Sequence, residues 1–109
     1  MIKNQSSLPI ERYNLEIIES QESLEFIPGT ESTFEYAYKM KLSLENTPIN
    51  NIIVNFKNSD YIDSLMISLI INTMKKGKNV VIKMRKGSYI EEVLITYGFI
   101  NVVRIEYIL

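Results

Sequence analysis

Two hydrophobic rhythms divide the chain. Alternation at every second position marks half-buried strands, and recurrence every three or four residues marks amphipathic helices. Tyr13, Leu15 and Ile17 alternate with Asn14 and Glu16 and predict a strand. Ser20-Gln21-Glu22-Ser23 turns the chain into a second strand over Leu24 to Ile27, an antiparallel pair that Pro28-Gly29 ends. Ahead of them, Met1 to Pro9 reads as a loose leader with little to bury.

The period then lengthens. Glu31 to Glu45 predicts a helix, with Phe34, Ala37, Lys41 and Leu44 on one stripe, Tyr38 beside it, and Ser32 and Glu35 spaced for a capping box. Lys41 fits that stripe if its stem lies along the core edge with its ammonium in water. Tyr36, Tyr38 and Met40 make one flank aromatic, and Asn46-Thr47-Pro48 stops the helix.

Asn51 to Phe56 is an apolar, β-branched strand of the kind covered on both faces, and Asn58-Ser59-Asp60 breaks it with turn-forming side chains. A second helix runs from Asp63 to Lys76. At about 100° per residue, Ile67, Ile70, Ile71 and Met74 share an arc that should face the sheet, with Ser68, Asn72 and Thr73 outside it. Leu65 and Leu69 fall nearly opposite that arc and Met66 at its margin, so apolar side chains face solvent over the first two turns. Single exposed leucines are commonplace. A cluster of them beside a polar corner is what a protein partner would cover. Asp63 and Ser64 can each accept from the free N–H groups of the first turn, so capping is a sufficient account of both. Gly77 reads as the residue just past the helix end, and the lysines around it offset the negative end of the dipole. A phosphate loop would need a leading Gly and a four-residue spacing that Lys75-Lys76-Gly77-Lys78 lacks.

Asn79 to Met84 predicts a buried strand, with Lys83, Arg85 and Lys86 as a small basic edge. Ser88-Tyr89-Ile90-Glu91 is a second capping box, opening a helix that carries Ile90, Val93, Leu94 and Tyr97 and ends at Gly98. Glu91 and Glu92 are sequence neighbours on different helix faces, not a catalytic carboxylate pair. Asn101 to Leu109 predicts a last strand with Arg104 and Glu106 outward. Tyr107-Ile108-Leu109 is apolar enough to pack on the body or on a second copy as a homodimer contact. Strand-helix-strand units in series favour parallel pairing with right-handed crossovers, hence an α/β fold with a four- to five-stranded mixed sheet and helices packed on it.

Tyr61, Ile62, Asp63 and Ser64, between an apolar strand and an aliphatic helix, resemble the signature of the STAS domain. Bacterial anti-sigma factor antagonists and the cytoplasmic ends of sulfate transporters share this module. Its pattern is an aromatic residue, an aliphatic one, Asp, two Ser or Thr, and Gly. Asn79 to Met84, Ser88 to Tyr97 and Gly98 to Val103 are similar to the family's later strand, helix and closing segment, so the match spans roughly Phe26 to Ile105. The resemblance implies a non-enzymatic regulator of transcription or signalling. It would dock an anti-sigma factor or switch kinase through Asp60, Asp63, Ser64, Leu65, Met66 and Leu69. It also implies phosphorylation at the second hydroxyl after the Asp, where this chain has Leu65; Met66 replaces the family's Gly. Ser64 could take the phosphoryl group only if its hydroxyl points outward instead of capping. The alternative is a STAS-like accessory subunit of a transport or signalling complex without a switch.

Composition narrows the field further. The 109 residues suit a single domain over the whole chain, with one modest core. With no Cys and no His, thiolate chemistry, disulfides, the usual general base and the commonest metal ligand are missing, so no enzyme activity, metal or cofactor is expected. A formal net charge of −1 offers no field for nucleic acid. No apolar run approaches the roughly 20 residues that span a bilayer, so no membrane insertion is expected, and the expected address is cytoplasmic.

Overall fold

The computed structural model describes residues 15–30 and 34–109. The predicted leader, the start of the first strand at Tyr13 and Ser32 of the first capping box lie outside the described residues, as does the side chain of Phe34. The strands are β1 (Glu16–Glu19), β2 (Ser23–Ile27), β3 (Asn51–Asn55), β4 (Asn79–Arg85) and β5 (Arg104–Ile108). Between them run α1 (Phe34–Glu45), α2 (Ser64–Lys75) and α3 (Tyr89–Thr96), with a 3₁₀ turn at Phe99–Asn101. They form one five-stranded mixed sheet in the order β1-β2-β3-β4-β5. β1 and β2 are antiparallel and every later neighbour is parallel. The hairpin and the α/β alternation are those the sequence predicts.

Alternation along the strands decides which face is covered. Leu24 and Phe26 of β2, Ile52 and Val54 of β3, and Val80, Ile82 and Met84 of β4 are buried in one cluster with Tyr36, Met40, Met66, Ile70, Ile90 and Leu94 from the three helices. Their neighbours Glu25, Ile53, Val81 and Lys83 point the other way and are only half-buried. β3 is therefore not covered on both faces. All three helices lie on one side, so its second face stays open among the described residues.

Helix ends are set by local chemistry. After α2 the Gly77 N–H donates to Met74 O and the Lys78 N–H to Thr73 O, with Gly77 at a φ of 91°, the paired bonds of a Schellman cap. The Lys78 ammonium donates to the carbonyls of Thr47 and Ile49, so this lysine ties the α1–β3 loop down rather than holding a phosphate. Ser88 caps α3 through the Glu91 N–H, and the Glu91 carboxylate accepts from the Gly87 N–H, one residue earlier than a capping box would have it. The last strand starts three residues later than predicted, because Gly98 in a left-handed conformation turns Phe99–Asn101 into the 3₁₀ segment.

Two helices are rotated from their predicted orientation. On α1 the buried residues are Tyr36, Ala37 and Met40, while Lys41 is exposed and Leu44 half-buried. On α2 they are Met66, Ile67, Ile70 and Thr73, with Ile71 and Met74 half-buried. The buried arc of α2 thus lies about 60° from the predicted one. The cause is that α2 packs on α1 as well as on the sheet, so its apolar surface is shared between two neighbours. Thr73 tolerates burial because its hydroxyl donates to Leu69 O at 2.7 Å, leaving its methyl to the core.

Candidate functional site

The corner between β3 and α2 is held from three directions. The Phe56 N–H continues the pairing to Lys83 O. The buried Asn55 side chain donates to Glu25 Oε2 and accepts from the Lys57 N–H, both at 2.9 Å. The Ser59 hydroxyl, 5% exposed, donates to Gly29 O at 2.7 Å and to Pro28 O at 3.1 Å, and the Asp60 N–H donates to Thr30 O at 3.0 Å. The β3–α2 loop is thereby pinned to the β2–α1 loop. A polar side chain this buried must be bonded, and these bonds set where the next residues emerge.

Asp63 stands at the N-cap of α2 in extended conformation, its Oδ1 accepting from the Met66 N–H at 2.9 Å. Asp60 and Ser64 are exposed. Capping falls to Asp63, and the Ser64 hydroxyl makes no hydrogen bond among the described residues, so it is free at the first position of the helix. Leu65 follows, 47% exposed. Leu69, one turn on, is half-buried in a groove of about 250 Å³ between α1 and α2, which Ala37, Tyr38, Lys41, Leu65 and Ser68 also line. Met66 is 0% exposed in the core beneath the corner, so it cannot form part of a contact surface. The helix rotation that put Thr73 inside also turned Met66 under. The predicted cluster is thus reduced to Asp60, Asp63, Ser64 and Leu65 at the corner, with Leu69 in the adjoining groove.

The structure adds aromatic neighbours that sequence reading did not place there. The Tyr61 and Tyr89 rings stack with centroids 6.0 Å apart and planes 9° from parallel, both rings about half exposed. Their link joins the β3–α2 loop to the first residue of α3. Beyond it, the Tyr107 hydroxyl donates to Glu91 Oε2, and the Lys86 ammonium lies over the Tyr107 ring, 5.6 Å from its centroid. The Tyr107 bond and the Gly87 N–H hold the Glu91 carboxyl below its ordinary value, and the same carboxylate holds the Tyr107 phenol above its own. The abundance of Tyr, 7 in all, was visible in the sequence, but the stack joins a loop residue to the first residue of a later helix and left no local signal.

Chemically the corner offers a rigid backbone, one capping carboxylate, one free hydroxyl and an apolar ledge. Among the described residues no three side chains of His, Cys, Asp or Glu converge to hold a metal. No helix among them is long and apolar enough to cross a membrane.

No protein-family model and no curated protein matches the chain. Solved structures do. A Thermotoga maritima protein described as an anti-sigma factor antagonist superposes with a TM-score of 0.71 at 20% identity, covering 87% of this chain and 86% of its own. The anti-sigma factor antagonist SpoIIAA in its unphosphorylated form gives 0.73 at 11% identity, with 88% and 89% covered. The architecture is therefore the STAS-like fold of the anti-sigma factor antagonists over most of the chain.

Proposed function

We propose, from the premise that this chain carries the fold of the anti-sigma factor antagonists, that it is a non-enzymatic regulatory module that docks an anti-sigma factor or switch kinase. The contact is the β3–α2 corner, with Asp60, Asp63 and Ser64 as its polar rim and Leu65, continuing into Leu69 of the α1–α2 groove, as its apolar centre. The observation that carries this reading is Leu65. It is a large aliphatic side chain, half out of the protein, on a corner that Ser59 and Asp60 hold rigid. A preorganised apolar ledge with a polar rim loses little freedom when a partner covers it.

Ser64 is the hydroxyl available for a switch at this corner. It points outward at a helix N-terminus, where free N–H groups and the dipole favour a phosphate. Adding that charge beside Leu65 would break an apolar contact. Leu65 stands where the resemblance puts the acceptor hydroxyl, and this favours, as a second reading, an accessory subunit of a transport or signalling complex with no switch.

The test is affinity purification of the full chain and its Leu65→Asp variant from cells, with retained proteins identified by mass spectrometry. The expected result is an anti-sigma factor kinase held by the wild type and lost from a variant that melts at the same temperature. Equal retention by both proteins would remove Leu65 from the contact. Phosphopeptide analysis of Ser64 separates the switching module from the accessory subunit.

A further inference from the structure

β5 ends the sheet, and among the described residues nothing pairs with its outer edge. Edge strands are usually blunted, because their open N–H and C=O groups invite another strand. This one carries charges of both signs, Arg104 and Glu106, with large side chains exposed beside them. Val102 is 63% exposed and Tyr107 46% exposed. Ile95 is 54% exposed on α3 and shares a face with Glu91 one turn earlier, whose carboxylate reaches Tyr107 on β5. The exposed side of α3 therefore overlooks the same edge.

The charges on β5 select a partner. Arg104 and Glu106 lie on the open face, two residues apart, with only a loose 3.6 Å contact in which their side chains remain 75% and 43% exposed. In an antiparallel pair, residues directly opposite each other lie on the same face. Two β5 strands related by a two-fold axis at Ile105 would set each Arg104 against the other copy's Glu106, forming the pair twice. An axis at Glu106 or at Arg104 would oppose like charges instead.

We propose that β5 is a self-pairing edge, joining two copies of this chain antiparallel about Ile105 into one continuous sheet, with Ile95 of α3 beside the seam. The proposal is independent of the β3–α2 corner, so Leu65→Asp should dimerise like the wild type.

Sedimentation of the full chain over a concentration series tests it, and a dimer is expected. Arg104→Glu and Glu106→Arg, which each turn two attractive pairs into repulsive ones, should weaken the dimer by about tenfold or more. The double swap should restore it. Because the chain has no Cys, Ile105→Cys should cross-link to itself on mild oxidation, while Tyr107→Cys, which faces Val103 in this register, should not. A wild type that stays monomeric would overturn the proposal without recourse to variants. So would a dimer indifferent to either charge reversal, or a disulfide at position 107 in place of 105.

Discussion

Replacing Ser59 with Ala tests whether the corner is pinned as described. The side chain is 5% exposed and its proton is shared between Gly29 O at 2.7 Å and Pro28 O at 3.1 Å, both acceptors belonging to buried residues of the β2–α1 loop. A net hydrogen bond contributes about 0.5–1.5 kcal/mol, and stranding a buried acceptor costs about 1–3 kcal/mol, so Ser59→Ala should destabilise the fold by about 1–3 kcal/mol. The change adds no bulk and leaves only the volume of one oxygen. The exposed Ser68→Ala serves as control and should stay within about 0.5 kcal/mol of wild type. Urea unfolding followed by circular dichroism reads the difference as a lower midpoint with an unchanged slope. In a thermal scan the melting point should fall by about 4–8 °C for each kcal/mol lost. Hydrogen exchange supplies a local readout, since the neighbouring Asp60 N–H donates to Thr30 O across the same junction and should exchange faster in the variant. A loss under about 0.5 kcal/mol with unchanged Asp60 exchange would mean that Ser59 does not pin the corner, because removing a buried donor that serves two carbonyls should cost more.

Three further outcomes are expected. Asp63→Ala removes the cap on the Met66 N–H and should cost about 1 kcal/mol by urea unfolding; an unchanged midpoint would mean that Ser64 takes over the cap. Met66→Ala should cost about 2–5 kcal/mol in the same assay, as a fully buried core side chain, where a surface contact residue would lose almost nothing. The Tyr107–Glu91 bond should give a pH signature. Glu91 is depressed in the folded protein, so its contribution is present above the ordinary carboxylate range and is lost as pH falls through the lowered folded value. Tyr107 is raised, so its contribution is present below the ordinary phenol range and is lost as pH rises through the raised value. The bond therefore acts across roughly pH 5 to 9, and in Tyr107→Phe the Glu91 carboxyl should titrate closer to its ordinary value by NMR; no movement would sink the assignment.

Features whose causes lie within a few residues were legible in the chain. Gly77 past the end of α2, Ser88 and Asp63 as caps, and the turn between β1 and β2 all rest on side chains bonding backbone three or fewer residues away, or on a residue free to adopt positive φ. The run of apolar strand, polar bend and aliphatic helix through Tyr61 to Ser64 likewise sufficed for the resemblance and for the α/β order. What periodicity could not supply was rotation. It finds the apolar side of a helix but not the neighbours among which that side is divided, so α1 was turned away from Met40 and α2 from Met66 and Thr73. The candidate site shows the same split. Ser64 and Leu65 could be named from sequence, yet their outward placement depends on Ser59 reaching a carbonyl 31 residues earlier, and the Tyr61–Tyr89 stack depends on two strands ending side by side. Contacts between segments so distant in the chain form only once the sheet has brought their loops together, and no short stretch of sequence carries them.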